Sequence, residues 1–266
     1  MAVQDQKVFF EDQGYLVVEG ILSSQELADC EAEIDRLHHL SAEWEKSGDD
    51  RLRNFQREPY AKDKQQHNGL PVLRKIEQTR DFSVVFQKLA EHPKLVPVVQ
   101  ALIGPDLLLF RSTLMLKPAF HGSAHAWHQD SAYWPMEPPT LVTVSIALTD
   151  SHADNGCIQV IPKSHTWGMQ EWGRIWRDKN EAMTDRKDLD TSTAIPVPLK
   201  AGSALLFHSL AVHGSGPNDS PLPRHTALYA YFPPTVKYTA RGKEARTFPV
   251  IAGLNGQKTV TLVADG

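Results

Sequence analysis

The sequence predicts a mainly β protein with flanking helices, a β-sandwich or jelly roll with helices packed outside it. Three observations carry that expectation: helical periodicity ahead of Gly104-Pro105, a series of short β-type runs after it, and Gly, Pro and Asn punctuating those runs. With 266 residues, 41% of them hydrophobic, the chain can bury a sizeable core. The length fits one large domain at least as well as two small ones. We therefore expect a single domain over 1–266, its helical part at about 1–105 and its β core at about 106–266.

Taken in order, Phe9, Phe10, Tyr15, Leu16, Val17 and Val18 form an aromatic and β-branched stretch, broken at Gly20, that reads as a strand-like start. Ser23 with Glu26 three residues on is a capping-box pattern, and Leu27, Cys30, Ile34 and Leu37 follow at helical spacing. From about Ser41 to Leu70 the sequence turns polar, with Gly48-Asp49-Asp50 and Gln65-Gln66-His67-Asn68-Gly69, and reads as a long surface segment. Phe82 to Ile103 reads as helix with Phe86, Leu89, Val96, Val99 and Leu102 apolar, Pro93 near a break and Gly104-Pro105 as the stop. The β-type runs are Leu107–Phe110, Leu141–Leu148, Cys157–Ile161, Ala204–Phe207 and Ala227–Phe232. A second loop-like stretch, about Thr166 to Ile195, carries Trp167, Trp172 and Trp176, which a lid and a satellite core explain equally well.

Charge and composition exclude several functions. Lys plus Arg total 28 against 32 Asp plus Glu, a net charge of −4, and no basic run stands out to track a phosphate backbone, so no nucleic-acid partner is expected. No apolar run reaches the roughly eighteen residues a bilayer span needs, so no membrane is expected either. Residues Met1 to Lys7 lack the basic and apolar regions of a secretion signal. The two cysteines, Cys30 and Cys157, lie far apart and outside any C-x-x-C pattern, which suits a reducing compartment. A cytoplasmic protein is expected, and nothing in the sequence fixes its oligomeric state.

The chemistry concentrates in Trp127-His128-Gln129-Asp130. In an extended strand residues i and i+2 share a face, so one cation can meet both the imidazole and the carboxylate. His213, at the end of a β-type run and ahead of the glycine-rich Gly214-Ser215-Gly216, is the best third ligand. Two histidines and one carboxylate on one face of a metal leave the other positions open, an arrangement associated with non-haem Fe(II) enzymes that bind a chelating co-substrate and O2. Arg224, eleven residues beyond His213, can offer a two-pronged donor to a dicarboxylate, and Ser215 can add a hydroxyl. His-x-Asp alone is weak, since a surface histidine beside an ordinary acid has the same spelling.

These residues resemble the phytanoyl-CoA dioxygenase family, within the Fe(II)/2-oxoglutarate oxygenases. The similarity runs through Gly14-Tyr15-Leu16-Val17-Val18, Lys117-Pro118, His128-Gln129-Asp130, Asn155-Gly156-Cys157, Ile161-Pro162-Lys163-Ser164-His165 and His213-Gly214-Ser215-Gly216 with Arg224. It implies a double-stranded β-helix (jelly roll, cupin-like) core, His128, Asp130 and His213 as iron ligands, and Arg224 and Ser215 on the distal carboxylate of 2-oxoglutarate. It suggests Lys75 as a further co-substrate or active-site contact. Thr113 stands where the human peroxisomal branch has a methionine near the co-substrate, and the strand around Ser145 lacks that branch's tryptophan. The implied cofactors are Fe(II), 2-oxoglutarate and O2, and the implied reaction is hydroxylation of an unactivated C–H bond in a small organic molecule, with succinate and CO2 released. An intact Asp130 fits hydroxylation, because related halogenating enzymes carry a small residue there.

Blander readings stand beside these. His125 and His121 read as loop or surface groups, and His165 and His208 as structural histidines. Tyr133 and Trp134 are candidates to line a substrate cavity, though aromatics beside a strand are more often core. A lysine such as Lys75 is exposed by default. Two rival functions remain open: a cupin-like metalloenzyme that does not use 2-oxoglutarate, against which Arg224 and Ser215 argue, and an inactive binding homologue, against which the presence of all three ligand types argues.

Overall fold

The computed structural model describes residues 3–61, 69–172, 186 and 188–264. Four helices precede most of the β structure: α1 (Val3–Gln13), α2 (Ser24–Ser47), α3 (Val84–Ala90) and α4 (Val96–Ile103). The strands are β1 (Tyr15–Val18), β2 (Phe55–Arg57), β3 (Leu73–Glu77), β4 (Leu107–Lys117), β5 (His125–His128), β6 (Met136–Glu137), β7 (Val142–Ala147), β8 (Ile158–Val160), β9 (Ile195–Pro196), β10 (Ala204–His208), β11 (His213–Ser215), β12 (Arg224–Phe232), β13 (Lys237–Tyr238), β14 (Ala245–Ala252) and β15 (Thr259–Val263). No helix among the described residues is long and apolar enough to cross a membrane.

Phe9 and Phe10 belong to a helix rather than to the expected strand. Gly14, in the left-handed region at φ 79°, closes α1 by donating its N–H to Phe10 O, and the chain turns straight into β1. A Cβ at Gly14 would lie 2.3 Å from the His165 ring, so the glycine is required both by its dihedral and by that close approach. The capping box at Ser23 and Glu26 forms as the sequence indicates. However, α2 runs past Ser41 to Ser47, because Ser41 and Trp44 continue the buried face begun by Ile34 and Leu37. Gly48, at φ 68°, ends it. The expected surface segment beyond is therefore part helix and part sheet, since β2 pairs with β3; residues 62–68 of it lie outside the described ones. The expected helix from Phe82 to Ile103 is two, separated around Pro93.

The larger sheet has the order β1-β10-β7-β12-β4-β14-β15, with β3 also pairing with β4 and β2 with β3; the smaller has the order β5-β11-β8-β9. This is a jelly roll whose helical front part also contributes three strands. One face of the larger sheet, with Leu114, Leu116, Val144, Ile146, Leu206, Tyr229 and Tyr231, packs on the helices through Leu37, Phe86, Leu89 and Val99. Tyr229 and Tyr231 reach through it to donate to Phe86 O and Ala90 O in α3. The opposite face looks toward the smaller sheet and is unusually polar for a protein interior: Lys75, Thr113, Lys117, Thr143, Ser145, Arg224 and Thr226 share it by register. Ala147, Leu205 and Phe207 on that same face close one part of the space against Ile158 and Val160 of the smaller sheet.

Candidate metal and co-substrate site

His128 ends β5 and His213 begins β11, and the two are direct cross-strand partners. Their rings lie 4.2 Å apart, centroid to centroid. Asp130 follows in the first position of a 3-10 turn rather than within the strand, so the shared face expected from strand alternation comes instead from the chain bending back after Gln129. Its Oδ1 is 3.6 Å from His128 Nε2 and 4.0 Å from His213 Nε2. One ligand atom from each of the three lies within 4.8 Å of the others.

Hydrogen bonds fix which imidazole nitrogen is available. His128 Nδ1 donates to Ala126 O at 2.8 Å and His213 Nδ1 to Ala211 O at 3.0 Å, which leaves Nε2 of each as a lone pair facing Asp130. Burial, then the neighbouring His128, pushes His213 down to about 4, so it is a neutral imidazole at pH 7. Burial alone would raise Asp130; its contacts with His128 and His213 and the hydrogen bond from Thr143 Oγ1, at 2.6 Å, outweigh it and hold the carboxyl at about 2. Two imidazoles and one carboxylate with open positions beyond them fit a ferrous ion.

At the far end of the polar face, Arg224 and Lys117 sit opposite each other on β12 and β4. Like charges directly across a strand pair repel, and both residues are only 4% exposed. Burial, then Arg224, pushes Lys117 down to about 6, and its Nζ donates to Gly216 O. Burial lowers Arg224 to about 10, and its Nε has no hydrogen-bond partner. Among the described residues no carboxylate pairs with Arg224; Glu58, the buried acid nearest this end, receives Ser123 and faces Arg74 and Lys117. A buried guanidinium with an orphaned donor costs several kcal/mol unless an anion meets it. The distal carboxylate of a dicarboxylate anchored at the triad has the chemistry to meet that orphaned donor.

The remaining sequence expectations fall as follows. Ser215 lies two residues from His213 on β11, opposite His125. Gly156 at φ 74° lets the Asn155-Gly156-Cys157 turn press against the Ser215–Pro217 loop, because a Cβ there would meet Gly216 O at 2.4 Å. Lys75 is not the exposed lysine of the default reading: it lies on the interior face, pairs with Glu77 at 2.6 Å, and burial brings it down to about 8. Thr113 shares the face and accepts from Arg111 Nε. Tyr133 stands beside the triad, its ring 5.8 Å from His128. Trp134 is core, its ring tilted against Phe110 with centroids 5.1 Å apart.

His125 is neither on the surface nor turned away from the site; its ring is 5.1 Å from His128 and its Nδ1 3.5 Å from Arg74, and burial drives it well below the ordinary range. The reason is the irregular register between His213 and Ser215, which breaks the strict alternation assumed for β5. His208 and His165 are structural, bonding Leu210 N and Glu11 O. Trp172 is buried with Ile161 and Val212, Trp167 is exposed, and Trp176 lies outside the described residues.

Gln129, which the sequence reading passed over, is fully buried between the ligands and spends its whole carboxamide on the loop above. Nε2 donates to Gly168 O and Leu210 O, and Oε1 accepts from Gln170 N and Trp172 Nε1. Its position between two ligands of the same face was the available signal.

A family model described as phytanoyl-CoA dioxygenase matches residues 10–226. The ectoine dioxygenase of Nocardia farcinica is 26% identical over 238 residues, 84% of this chain and 75% of that protein, and that of Halomonas elongata 28% identical over 84% and 67%. A probable phytanoyl-CoA dioxygenase of Caenorhabditis elegans is 32% identical over 57% of this chain and 51% of its own length. Among solved structures, the non-heme monooxygenase ThoJ superposes with a TM-score of 0.74 at 25% identity, covering 94% of this chain and 84% of that one. EctD from S. alaskensis with bound Fe has a TM-score of 0.66 at 24% identity, covering 86% and 76%, a likeness of fold.

Proposed function

The chain belongs to the phytanoyl-CoA dioxygenase family and is an Fe(II)- and 2-oxoglutarate-dependent oxygenase; from that premise we propose that it hydroxylates a C–H bond of a small organic molecule. In this reading His128, Asp130 and His213 hold the iron, and Arg224, with Ser215 adding a hydroxyl, receives the distal carboxylate of 2-oxoglutarate. The observation that carries it is the buried Arg224, which faces Lys117 and has no acid partner among the described residues. Iron and 2-oxoglutarate together supply the oxidation: O2 is consumed, 2-oxoglutarate leaves as succinate and CO2, and a substrate C–H becomes C–OH. The chain's own residues do the positioning. Ala126 O and Ala211 O orient the two imidazoles, Thr143 orients Asp130, and the apolar closure by Phe207, packed 4.4 Å from the His213 ring, keeps water from that side. Free, buried Cys30 and Cys157 support a cytoplasmic setting.

Anaerobic titration of the Fe(II)-loaded protein with 2-oxoglutarate tests this reading. Wild type is expected to develop the weak visible charge-transfer band of the chelate. Arg224→Ala is expected to need on the order of a hundredfold more 2-oxoglutarate, the loss of a buried charge-assisted hydrogen bond. Iron binding without a band would favour a cupin-like enzyme that does not use this co-substrate; no iron binding would favour an inactive homologue.

A further inference from the structure

Strand β4 changes parity partway along. Leu109 opposes Tyr231 and Arg111 opposes Ala230, so Phe110 is an extra residue, a β-bulge. Before it, Leu107 and Leu109 face the helices while Leu108 faces inward; after it, Leu114 and Leu116 face the helices while Arg111, Thr113, Met115 and Lys117 face inward. Without the bulge Arg111 would point into the apolar packing against the helices. A one-residue slip moves every later side chain to the other face, so the bulge is what delivers this guanidinium to the interior.

Arg111 stands on the same interior face as the site, two strands from Thr143, with its guanidinium drawn toward Glu77 on β3. Ala230 pairs with Arg111 on one side and with Thr143 on the other, and Thr143 bonds Asp130. Two strand spacings put the backbones of Arg111 and Thr143 about 10 Å apart, and the residue between them in the sheet register is Ala230. Arg111 is 32% exposed, as is Glu77, which it meets at 2.5 Å. Glu77 Oε1 also takes Lys75, so two cations share one carboxylate and the group carries a net positive charge. Of the five guanidinium N–H groups, Nε goes to Thr113 and Nη2 to Glu77, and the others have no partner among the described residues. Arg246 lies over Phe110 and Phe248 and faces Glu244, which offsets its charge.

The geometry points to Arg111 as the substrate-docking residue, and to a substrate bearing a carboxylate that Arg111 takes in a two-pronged bond with Lys75 behind it, holding the carbon to be oxidised toward Asp130. Glu77 serves as the internal carboxylate that keeps the two cations in place until the substrate's arrives. The inference rests on the oxygenase reading above and deepens it by naming the substrate class.

The test uses the protein loaded anaerobically with Fe(II) and saturating 2-oxoglutarate, so that Arg224 is filled. The probes are benzoate, 3-phenylpropionate, hexanoate and cyclohexanecarboxylate, each paired with its primary amide, followed by tryptophan fluorescence and by perturbation of the chelate band. At least one acid is expected to bind tenfold or more tightly than its amide. Arg111→Gln is expected to erase that preference without changing the 2-oxoglutarate titration, and Arg111→Lys to restore part of it. Glu77→Gln, which frees both cations, is expected to strengthen acid binding, a gain that misfolding would not produce. A normal chelate band with no acid preferred over its amide overturns the inference and leaves the oxygenase reading intact, as does an acid preference that survives in Arg111→Gln. Absence of the band in wild type would instead strike the oxygenase reading itself.

Discussion

Lys117 shows how a single residue carries the cost of the site. It is buried opposite Arg224 and holds Gly216 O, and its folded pKa lies at about 6. In the unfolded chain a lysine titrates near 10.4. Between those values the unfolded state binds a proton that the folded state does not, so stability rises with pH through that window, by up to about 1.4 kcal/mol per unit. Below about 6 both states are protonated and this group's slope vanishes. Lys75 adds the same sign only above about 8, and the lowered histidines, His213 among them, add it mainly below about 7, so over pH 6.5 to 8 the difference between wild type and a Lys117 variant isolates Lys117. Urea denaturation of the ligand-free protein across that range should give a steeper rise for wild type than for Lys117→Met. Equal slopes would mean that Lys117 stays charged in the fold.

Among the elements, the loop at 168–172 is positioned by one side chain from the metal strand. Gln129 satisfies Gly168 O, Gln170 N, Leu210 O and Trp172 Nε1 at once. Gln129→Leu strands buried polar groups, each costing about 1–3 kcal/mol, and the loop is expected to loosen before the sheet does. Hydrogen exchange should show the Gln170 amide losing protection while α2 is unchanged; an equally protected Gln170 would refute the role. The elements also show what the sequence could and could not disclose. The capping box at Ser23, the triad, Arg224 and the strand cores were legible because each is a local pattern or a residue type tied to one chemistry. The helical start at Phe9-Phe10 was hidden by strand-like residues whose fate Gly14 decides, and the extension of α2 by the polar look of Ser41 to Glu45. The inward turns of His125 and Arg111 depend on irregular register, which is a relation between strands and leaves no mark on either strand alone.

Across the whole molecule, the residues proposed to hold the metal and the co-substrate lie on different parts of the jelly roll. The triad lies on β5, the turn after it, and β11, all at the smaller sheet, whereas Arg224 lies on β12 of the larger one. In the proposed reading a metal alone would tie the smaller sheet to itself, while 2-oxoglutarate held by that metal and by Arg224 would join the two sheets across the interior. Stabilisation by the pair should exceed the sum of the separate effects, because without metal 2-oxoglutarate has one anchored end. A ligand at a hundred times its Kd adds about 2.7 kcal/mol, which for a chain of this size is on the order of 5–10 °C in Tm. Thermal denaturation with Mn(II), with 2-oxoglutarate, with both, and with both plus EDTA measures the coupling. The expected pattern is a rise with Mn(II), little with 2-oxoglutarate, a larger rise with both, and its loss to chelator. Arg224→Ala should keep the Mn(II) shift and lose the extra one. If 2-oxoglutarate raises Tm equally without metal, or equally in Arg224→Ala, it does not bridge the sheets, and the charge of the buried Arg224 must be met some other way.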